Sequence, residues 1–373
     1  MIRILHSVSN MDRAGIETML MNYYRHIDRS RVQFDFLCNK TKPGAYDEEI
    51  KALGGKILHT TGLNPFKYGK YLACMHQIIQ DHPEYQIIHA HNGALAAYPL
   101  YSAMREGIKH RICHVHSASF TVDYKLPVKL FCKPFLPRCA NHYWACGNAA
   151  AKFYYGERRV DAKETRVINN AIEIDKFVFN EKVRANLRTQ YELNDKLVIG
   201  HAGRFMTQKN HAFLIDVFAQ VIRKKTNSFL VLLGDGELFG QMQEKVKAMG
   251  IADSVLFLGN VSNVNEWYQA MDLFVMPSIW EGLPVVGIEA QTADLPCVFS
   301  DDITREVELL PNTKFMSRKL PAEQWADEIL NMVPAQKRIN RKKLIQDAGY
   351  DISVEAEKLM TLYEKMVNGD YVV

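Results

Sequence analysis

Short apolar runs alternate with helical patterns along most of this chain, in two successive series. In the first, IRILHSV, VQFDFLC, GKILHT, QIIHAH and RICHVH read as buried strands. In the second, LVIGHAG, FLVLLGDG, VLFLGNV, LFVMPS and LPCVFSD do the same. Between the first two runs, ETMLMNYYRHI repeats its apolar residues at helical spacing. Strands separated by helices pair in parallel, so the pattern predicts an α/β chain with parallel sheets. Its repetition predicts two doubly wound, Rossmann-like domains facing one another across a cleft. The boundary is expected within residues 170–195, where NNAIEIDKFVFNEK is polar and carries little periodicity. With 373 residues, 47% of them hydrophobic, the chain has enough apolar side chains for two full-sized cores.

Several function classes fall away on composition. No run of about 18 apolar residues exists to span a bilayer. MIRILHSVSN is too polar for a secretion leader and reads as a first strand. Seven cysteines without C-x-x-C spacing argue against a disulfide framework and a structural zinc site, and point to a reducing cytoplasm. No G-x-G-x-x-G follows the first strand, which disfavours a dinucleotide dehydrogenase. A net charge of +4 without a basic, aromatic-interleaved tract gives little support to nucleic-acid binding. The charge is uneven, however: residues 1–180 carry +8 and residues 181–373 carry −4. The basic half suits an anionic acceptor or a membrane surface.

The chemistry-bearing residues cluster in the second series. PSIWEGLPVVGIEAQ follows the strand LFVMPS and places Glu281 at its C-terminal edge, with Glu289 two turns into the next helix. Ligands of open α/β sheets bind beyond the carboxyl ends of the strands, and a helix N-terminus there offers free N–H groups to a phosphate. Arg204 and Lys209 lie in the strand-to-helix segment HAGRFMTQKNH, where two cations can neutralise a diphosphate. Gly234 and Gly236 flank Asp235 at another strand end and permit a tight turn.

Taken in order, G-R-x(4)-K-N, L-L-G-D-G, F-L-G and the E-x7-E of E-G-L-P resemble the C-terminal half of family-four retaining glycosyltransferases with the GT-B fold. MDRAGIETMLMNYYRHI is similar to that family's glycine-rich first loop, and VINNAIEIDKF to its interdomain N-G-I-D-x-x-F. The short E-G-L-P form is most similar to bacterial transferases that build capsules and exopolysaccharides. The resemblance implies an acceptor-binding domain over 1–175 and a nucleotide-sugar domain over 176–350. It also implies a helix within 351–373 that returns to the first domain. It gives Glu289 the ribose hydroxyls, Glu281 the donor sugar's hydroxyls, and Arg204 and Lys209 the diphosphate of a UDP-linked donor. Gly15, Gly234 and the backbone of Gly282, Leu283, Pro284 and Val285 would complete the donor site. No metal and no other cofactor is expected, since two cations and a helix terminus can replace a divalent ion. The implied reaction moves a hexose or N-acetylhexosamine, with retention, to a saccharide or polyprenyl-diphosphate-linked acceptor. The alternatives are a catalytically silent homologue binding nucleotide-sugar or a partner subunit, and a GT-B nucleotide-sugar epimerase. The chain departs from the family pattern at Ala14-Gly15 (for Gly-Gly), at Ala171 and at Asp294, both of which stand where glycine is usual.

Eleven of the thirteen histidines precede residue 181. His89 and His91 end one strand, His114 and His116 another, and alternate residues of a strand share a face. By resemblance, His116 orients the donor sugar, while His89 and His114 are expected to be structural. Without a carboxylate or thiol at fitting spacing, apart from Cys113, metal ligation by these four is not expected. In VDYKLPVKLFCKPFLPRCANHYW, Lys125, Lys129 and Lys133 fall on one helical face beside Leu126, Leu130 and Phe131. That basic amphipathic pattern predicts peripheral attachment to the anionic inner face of the cell membrane, although Pro127, Pro134 and Pro137 limit any long helix.

Overall fold

The computed structural model describes residues 1–120, 124–333 and 337–371. It divides the chain into two compact units, Met1–Ile172 with Gly349–Val373, and Glu173–Ala348. Each is built on one wholly parallel sheet.

The N-terminal unit carries seven strands: β1 (Ile2–Val8), β2 (Val32–Cys38), β3 (Ile57–His59), β4 (Ile87–Ala90), β5 (His110–Val115), β6 (His142–Ala145) and β7 (Thr165–Val167). Their order is β3-β2-β1-β4-β5-β6-β7. The chain therefore winds outward from β1 in one direction, then restarts at β4 in the other. Every residue of β2 is buried, and its two polar side chains are paired there: Asp35 accepts from Arg3 and from the Tyr85 hydroxyl, and Gln33 donates to the Leu53 carbonyl. A core of Ile4, Phe34, Phe36, Tyr23, Tyr24 and Trp144 covers one face. The final helix, Ile352–Asn368, belongs to this unit and packs on the helix Gly15–His26 with Ala356, Leu359, Met360 and Tyr363 buried.

The C-terminal unit repeats the plan with six strands: β8 (Leu197–Ala202), β9 (Ser228–Leu233), β10 (Val255–Gly259), β11 (Leu273–Met276), β12 (Cys297–Ser300) and β13 (Thr313–Met316). The order β10-β9-β8-β11-β12-β13 again reverses at the first strand, between β8 and β11. β6, β7 and β13 lie outside the runs that read as strands. Each mixes polar residues into its three or four positions (HYWA, TRV and TKFM), which leaves no apolar run to mark it.

The basic segment after β5 is made of short helical pieces, and Lys125, Lys129 and Lys133 follow one another through helical hydrogen bonds within it. Helix Leu126–Cys132, the 3-10 turn Lys133–Phe135 and helix Leu136–Cys139 succeed one another, and each carries a proline in its first turn. Proline is accepted there because that N–H has no partner inside a helix, and the residues at the junctions keep right-handed helical angles. Lys133 lies over the Phe153 ring at 4.1 Å. Val122 and Asp123, the start of that segment, lie outside the described residues.

Two loops in the C-terminal unit touch backbone to backbone. Gly234 has φ +123°, and a Cβ there would stand 2.2 Å from the carbonyl oxygen of Gly203. A Cβ on Gly236 would stand 2.5 Å from the oxygen of Phe205. Hydrogen bonds from Gly203 N–H to Leu233 O, Phe205 N–H to Asp235 O and Leu238 N–H to Phe205 O tie the loops after β8 and β9 together. Gly234→Ala is accordingly expected to destabilise this unit by about 2–3 kcal/mol. Gly240→Ala, in the helix Phe239–Ala248 with nothing within 4 Å of an added Cβ, should instead gain up to about 1 kcal/mol. Thermal unfolding of the two variants should move in opposite directions.

Candidate active site

In an open parallel sheet the C-terminal ends of the two strands flanking the reversal diverge, and a crevice forms between the loops that follow them. In the C-terminal unit those strands are β8 and β11. The loop after β8 holds Arg204 and Lys209, and the loop after β11 holds Glu281. Across the crevice Lys209 Nζ donates to Glu281 Oε1 at 2.7 Å, with both side chains largely buried.

Neighbouring residues fix this pair. Ile279 N–H donates to the Gln208 carbonyl at 2.7 Å, Gln208 Nε2 to the Trp280 carbonyl at 2.8 Å, and Asn210 Nδ2 to the Pro277 carbonyl at 3.2 Å. Asn210 takes a left-handed conformation (φ 56°) between the turn Thr207–Lys209 and the helix His211–Lys224, a conformation asparagine tolerates better than most residues. Arg204 is exposed on the same loop and makes no side-chain hydrogen bond or ion pair among the described residues. Gly234 packs against this loop, its added Cβ 3.6 Å from the Arg204 nitrogen. The structure therefore gathers Arg204, Lys209, Gly234 and Glu281.

After Glu281, Gly282 and Leu283 lead to Pro284, which is the N-cap residue rather than a member of the first turn; helix Val285–Thr292 begins behind it. No side chain caps this N-terminus, so its first N–H groups point outward unclaimed by a cap. Glu289, on the second turn, is half-buried and accepts a hydrogen bond from the Tyr268 hydroxyl at 2.9 Å. Burial raises its carboxyl to about 7, and the Tyr268 bond works in the opposite direction. Asp294 after this helix takes φ 55°, and its carboxylate accepts from Ile339 N–H at 2.6 Å and Arg341 Nε at 2.7 Å. An aspartate thus serves where glycine would be usual.

The N-terminal unit has its own reversal, between β1 and β4. His6 on β1 lies beside His89 on β4 in the sheet register. His91 and His116 follow just beyond β4 and β5. Ring centroids stand 4.2 Å apart for His89 and His91, and 4.1 Å for His114 and His116. His6, His89, His91 and His114 are buried, and His116 is half-buried. Burial lowers all five, His6 and His116 to about 3, so the imidazoles are neutral near pH 7.

Gly15 opens the first helix without using its conformational freedom. Its φ is not positive, and an added Cβ would meet nothing within 4 Å. The turn before the helix is made without an unusual backbone at this position.

Beside this reversal lies a pocket of about 170 Å³ lined by Ser9, Glu17, Asn39, Lys40, His91 and Asn92, among others. Sequence reading passed over Glu17. Its signal was its place on the buried stripe of the first helix with Leu20, Met21 and Tyr24, where a carboxylate has no packing reason to be. His6 was detectable by the strand-end logic that found His89. Tyr268, from a helix before β11, carried no local signal at all.

Burial raises the Glu17 carboxyl from 4.5 to about 7. A folded-state pKa above the unfolded value means the native state holds the proton more tightly. The resulting stability is intact below about 4.5 and is lost as pH rises towards about 7. Glu17→Gln, which does not titrate, should therefore gain on the wild type between pH 5 and 8, by up to about 3 kcal/mol. Unfolding midpoints of both proteins across that range test this; a constant difference would show that Glu17 ionises normally.

Comparison with known proteins places this geometry. Residues 183–348 match the family model "Glycosyl transferases group 1", and residues 13–176 match "Glycosyltransferase Family 4". EpsF of Bacillus subtilis, named as a glycosyltransferase, is 33% identical over 99% of this chain and 98% of its own. The Escherichia coli UDP-Gal:alpha-D-GlcNAc-diphosphoundecaprenol alpha-1,3-galactosyltransferase is 23% identical over 98% and 97%. Among solved structures, Anabaena HepE in complex with UDP and glucose superposes with a TM-score of 0.78 at 18% identity, covering 98% of this chain and 100% of that one. Sucrose-phosphate synthase from Thermosynechococcus elongatus gives 0.77 at 16%, over 99% and 100%. These two likenesses give the fold, two Rossmann-like units of the GT-B type, and with the full-length match to EpsF the chain belongs to the group 1, family 4 glycosyltransferases.

Proposed function

We propose that this chain is a retaining, metal-independent hexosyltransferase. It moves a hexose or N-acetylhexosamine from a UDP-sugar to a saccharide carried on a lipid diphosphate, in capsule or exopolysaccharide synthesis. The observation that carries the reading is the Lys209–Glu281 pair across the β8/β11 reversal, with Arg204 beside it and an uncapped helix N-terminus behind it. Two cations and free N–H groups suit a diphosphate, and two carboxylates suit sugar and ribose hydroxyls. In support, the Escherichia coli relative is named for a UDP-Gal donor and a diphosphoundecaprenol-linked acceptor, and CapH of Staphylococcus aureus (21% identical over 97% of this chain) for capsular polysaccharide.

In the proposed step the acceptor hydroxyl oxygen bonds to the anomeric carbon as that carbon's bond to the β-phosphate oxygen breaks. The hydroxyl proton passes to the departing phosphate, and Arg204 and Lys209 stabilise the charge gathering there. Glu289 accepts from the ribose hydroxyls, Glu281 from the donor sugar, and His116 orients that sugar. The backbone at Gly15, Gly234, Gly282, Leu283, Pro284 and Val285 completes the donor site. Calorimetry without metal should show UDP binding in preference to GDP and ADP, and at least a tenfold loss in Glu289→Ala. No binding by any nucleotide would favour the silent-homologue reading instead.

The place of work in this reading is the inner face of the cell membrane. No helix among the described residues is long and apolar enough to cross a membrane. Attachment would instead be peripheral, through the turns after β5. There Tyr124, Leu130 and Phe131 are 87%, 55% and 69% exposed beside Lys125 and Lys129. Apolar tips flanked by lysines favour an anionic interface. Lys129→Glu combined with Phe131→Ser should markedly reduce co-sedimentation with vesicles containing phosphatidylglycerol, while leaving UDP affinity unchanged. Undiminished sedimentation would remove the membrane from the proposal.

A further inference from the structure

Five imidazoles meet at the C-terminal ends of β1, β4 and β5: His6, His89, His91, His114 and His116. The proposed transfer uses one of them. A sheet face is ordinarily filled with Val, Ile or Leu, which bring no polar atoms needing partners. Here each neutral ring brings one N–H and one lone pair.

The cluster satisfies most of these internally. His6 Nδ1 and His91 Nε2 are 3.1 Å apart, His91 Nδ1 and His116 Nε2 2.9 Å, and His89 Nε2 and His114 Nδ1 3.1 Å. His89 Nδ1 lies 2.7 Å from the Tyr363 hydroxyl. Two nitrogens remain buried without a partner, Nε2 of His6 and Nε2 of His114. If protons run from His114 Nδ1 to His89 Nε2 and from His89 Nδ1 to Tyr363, the leftover site on His114 is a lone pair. In the opposite direction Tyr363 donates and Nε2 of His114 carries the N–H, so a metal at that nitrogen selects the first arrangement. In it, a lone pair that no donor reaches stands beside two further imidazoles, as a metal ion requires of a ligand.

We propose that His91, His114 and His116 bind a divalent transition metal of the Zn²⁺ or Co²⁺ class, through three neutral imidazoles with a fourth position open beside His116. One ring nitrogen from each lies within 4.8 Å of the others. Zinc–imidazole bonds of about 2.0–2.1 Å require nitrogens roughly 3.4 Å apart, so small side-chain rotations close the triangle. His6, His89 and His91 meet the same distance criterion, but all three are sealed from solvent. Half-buried His116 gives the other triad an entry path and room for a water or anion. His89 already holds the second nitrogen of His114, and His6 that of His91, as outer-shell groups do around bound metals. The carboxylate or thiol that the sequence lacked at ligand spacing is unnecessary, because the ends of the paired strands β4 and β5 supply three nitrogens. Metal on His116 would withdraw it from any sugar, so the site would restrain transfer rather than assist it.

The test is a Co²⁺ titration of tag-free, chelator-treated full-length protein, followed by visible absorption. One equivalent should produce the intense bands of four- or five-coordinate cobalt, and Zn²⁺ should displace it. His114→Gln and His116→Ala should each weaken binding tenfold or more, with His116→Ala decisive if the buried variant does not fold. His76→Ala, at an exposed histidine bonded to Glu106, should change nothing. Absence of those bands, or equal affinity in wild type and His116→Ala, would overturn the site. A parallel UDP titration separates the two proposals: cobalt binding without UDP binding leaves the metal site standing and removes the transferase reading.

Discussion

Strand-order reversal is the constraint on which both units depend. A chain winding parallel strands outward from a first strand must return to that strand's other side to complete the sheet. The two loops leaving the central pair then diverge, and no helix covers the gap between them. In the C-terminal unit that gap receives the loops after β8 and β11; in the N-terminal unit it lies between β1 and β4. Lys209 and Glu281 lie at the second reversal, Glu289 on the helix entered from it, and Glu17 on the helix entered from the first. Neither crevice needs a special fold to exist, only residues that fill it with something other than packing.

What fills the C-terminal crevice is an ion pair whose energetics suit exchange. Taking Lys209 and Glu281 out of water costs several kcal/mol per ion, offset by their contact at 2.7 Å. Removing one partner alone would strand the other charge. Under the transferase reading a diphosphate draws the Lys209 ammonium, while the donor sugar brings hydroxyls that satisfy Glu281. One binding event thus replaces both halves of the pair, and neither charge is left unpaired. The backbone contacts at Gly234 and Gly236 fix the loop that makes this possible, because a side chain at either would push the loop after β8 away.

The sheets were legible because most strands carry a short apolar cluster, as FLVLL in β9 and LFVM in β11 do. β6, β7 and β13 were not, since HYWA, TRV and TKFM mix polar residues into three or four positions. Charged residues in the loops after β8 and β11 stood out for the same reason that they matter: nothing in local packing requires them. Tyr268 was invisible, because its partnership with Glu289 joins two helices separated by a strand and a loop, and no spacing rule reaches across that distance. Glu17 was visible in principle as a charge on an apolar stripe, yet reading that stripe for its periodicity hid the exception. The lysine spacing 125, 129, 133 was legible because helical hydrogen bonds run from Lys129 N–H to Lys125 O and from Lys133 N–H to Lys129 O, with Pro127, Pro134 and Pro137 each in the first turn of a short piece.

Net charge shows why local geometry has to carry the functional argument. Residues 181–373 total −4, a sign that would repel a nucleotide diphosphate if the whole charge acted at the site. At physiological ionic strength, fields from exposed charges fade over about 8 Å. A diphosphate at the β8/β11 crevice therefore responds mainly to Arg204, Lys209 and the start of helix Val285–Thr292. Most acidic residues of this half are more distant, exposed and screened, or already paired, as Asp272 is with Arg184 and Arg188. Under the proposed membrane attachment the +8 of residues 1–180 would work differently, because a membrane is an extended anionic surface that samples many lysines at once. A small anion reads a few fixed charges and a surface reads the sum, so the proposed reading lets one chain combine an acidic half that binds the donor with a basic half that meets a surface.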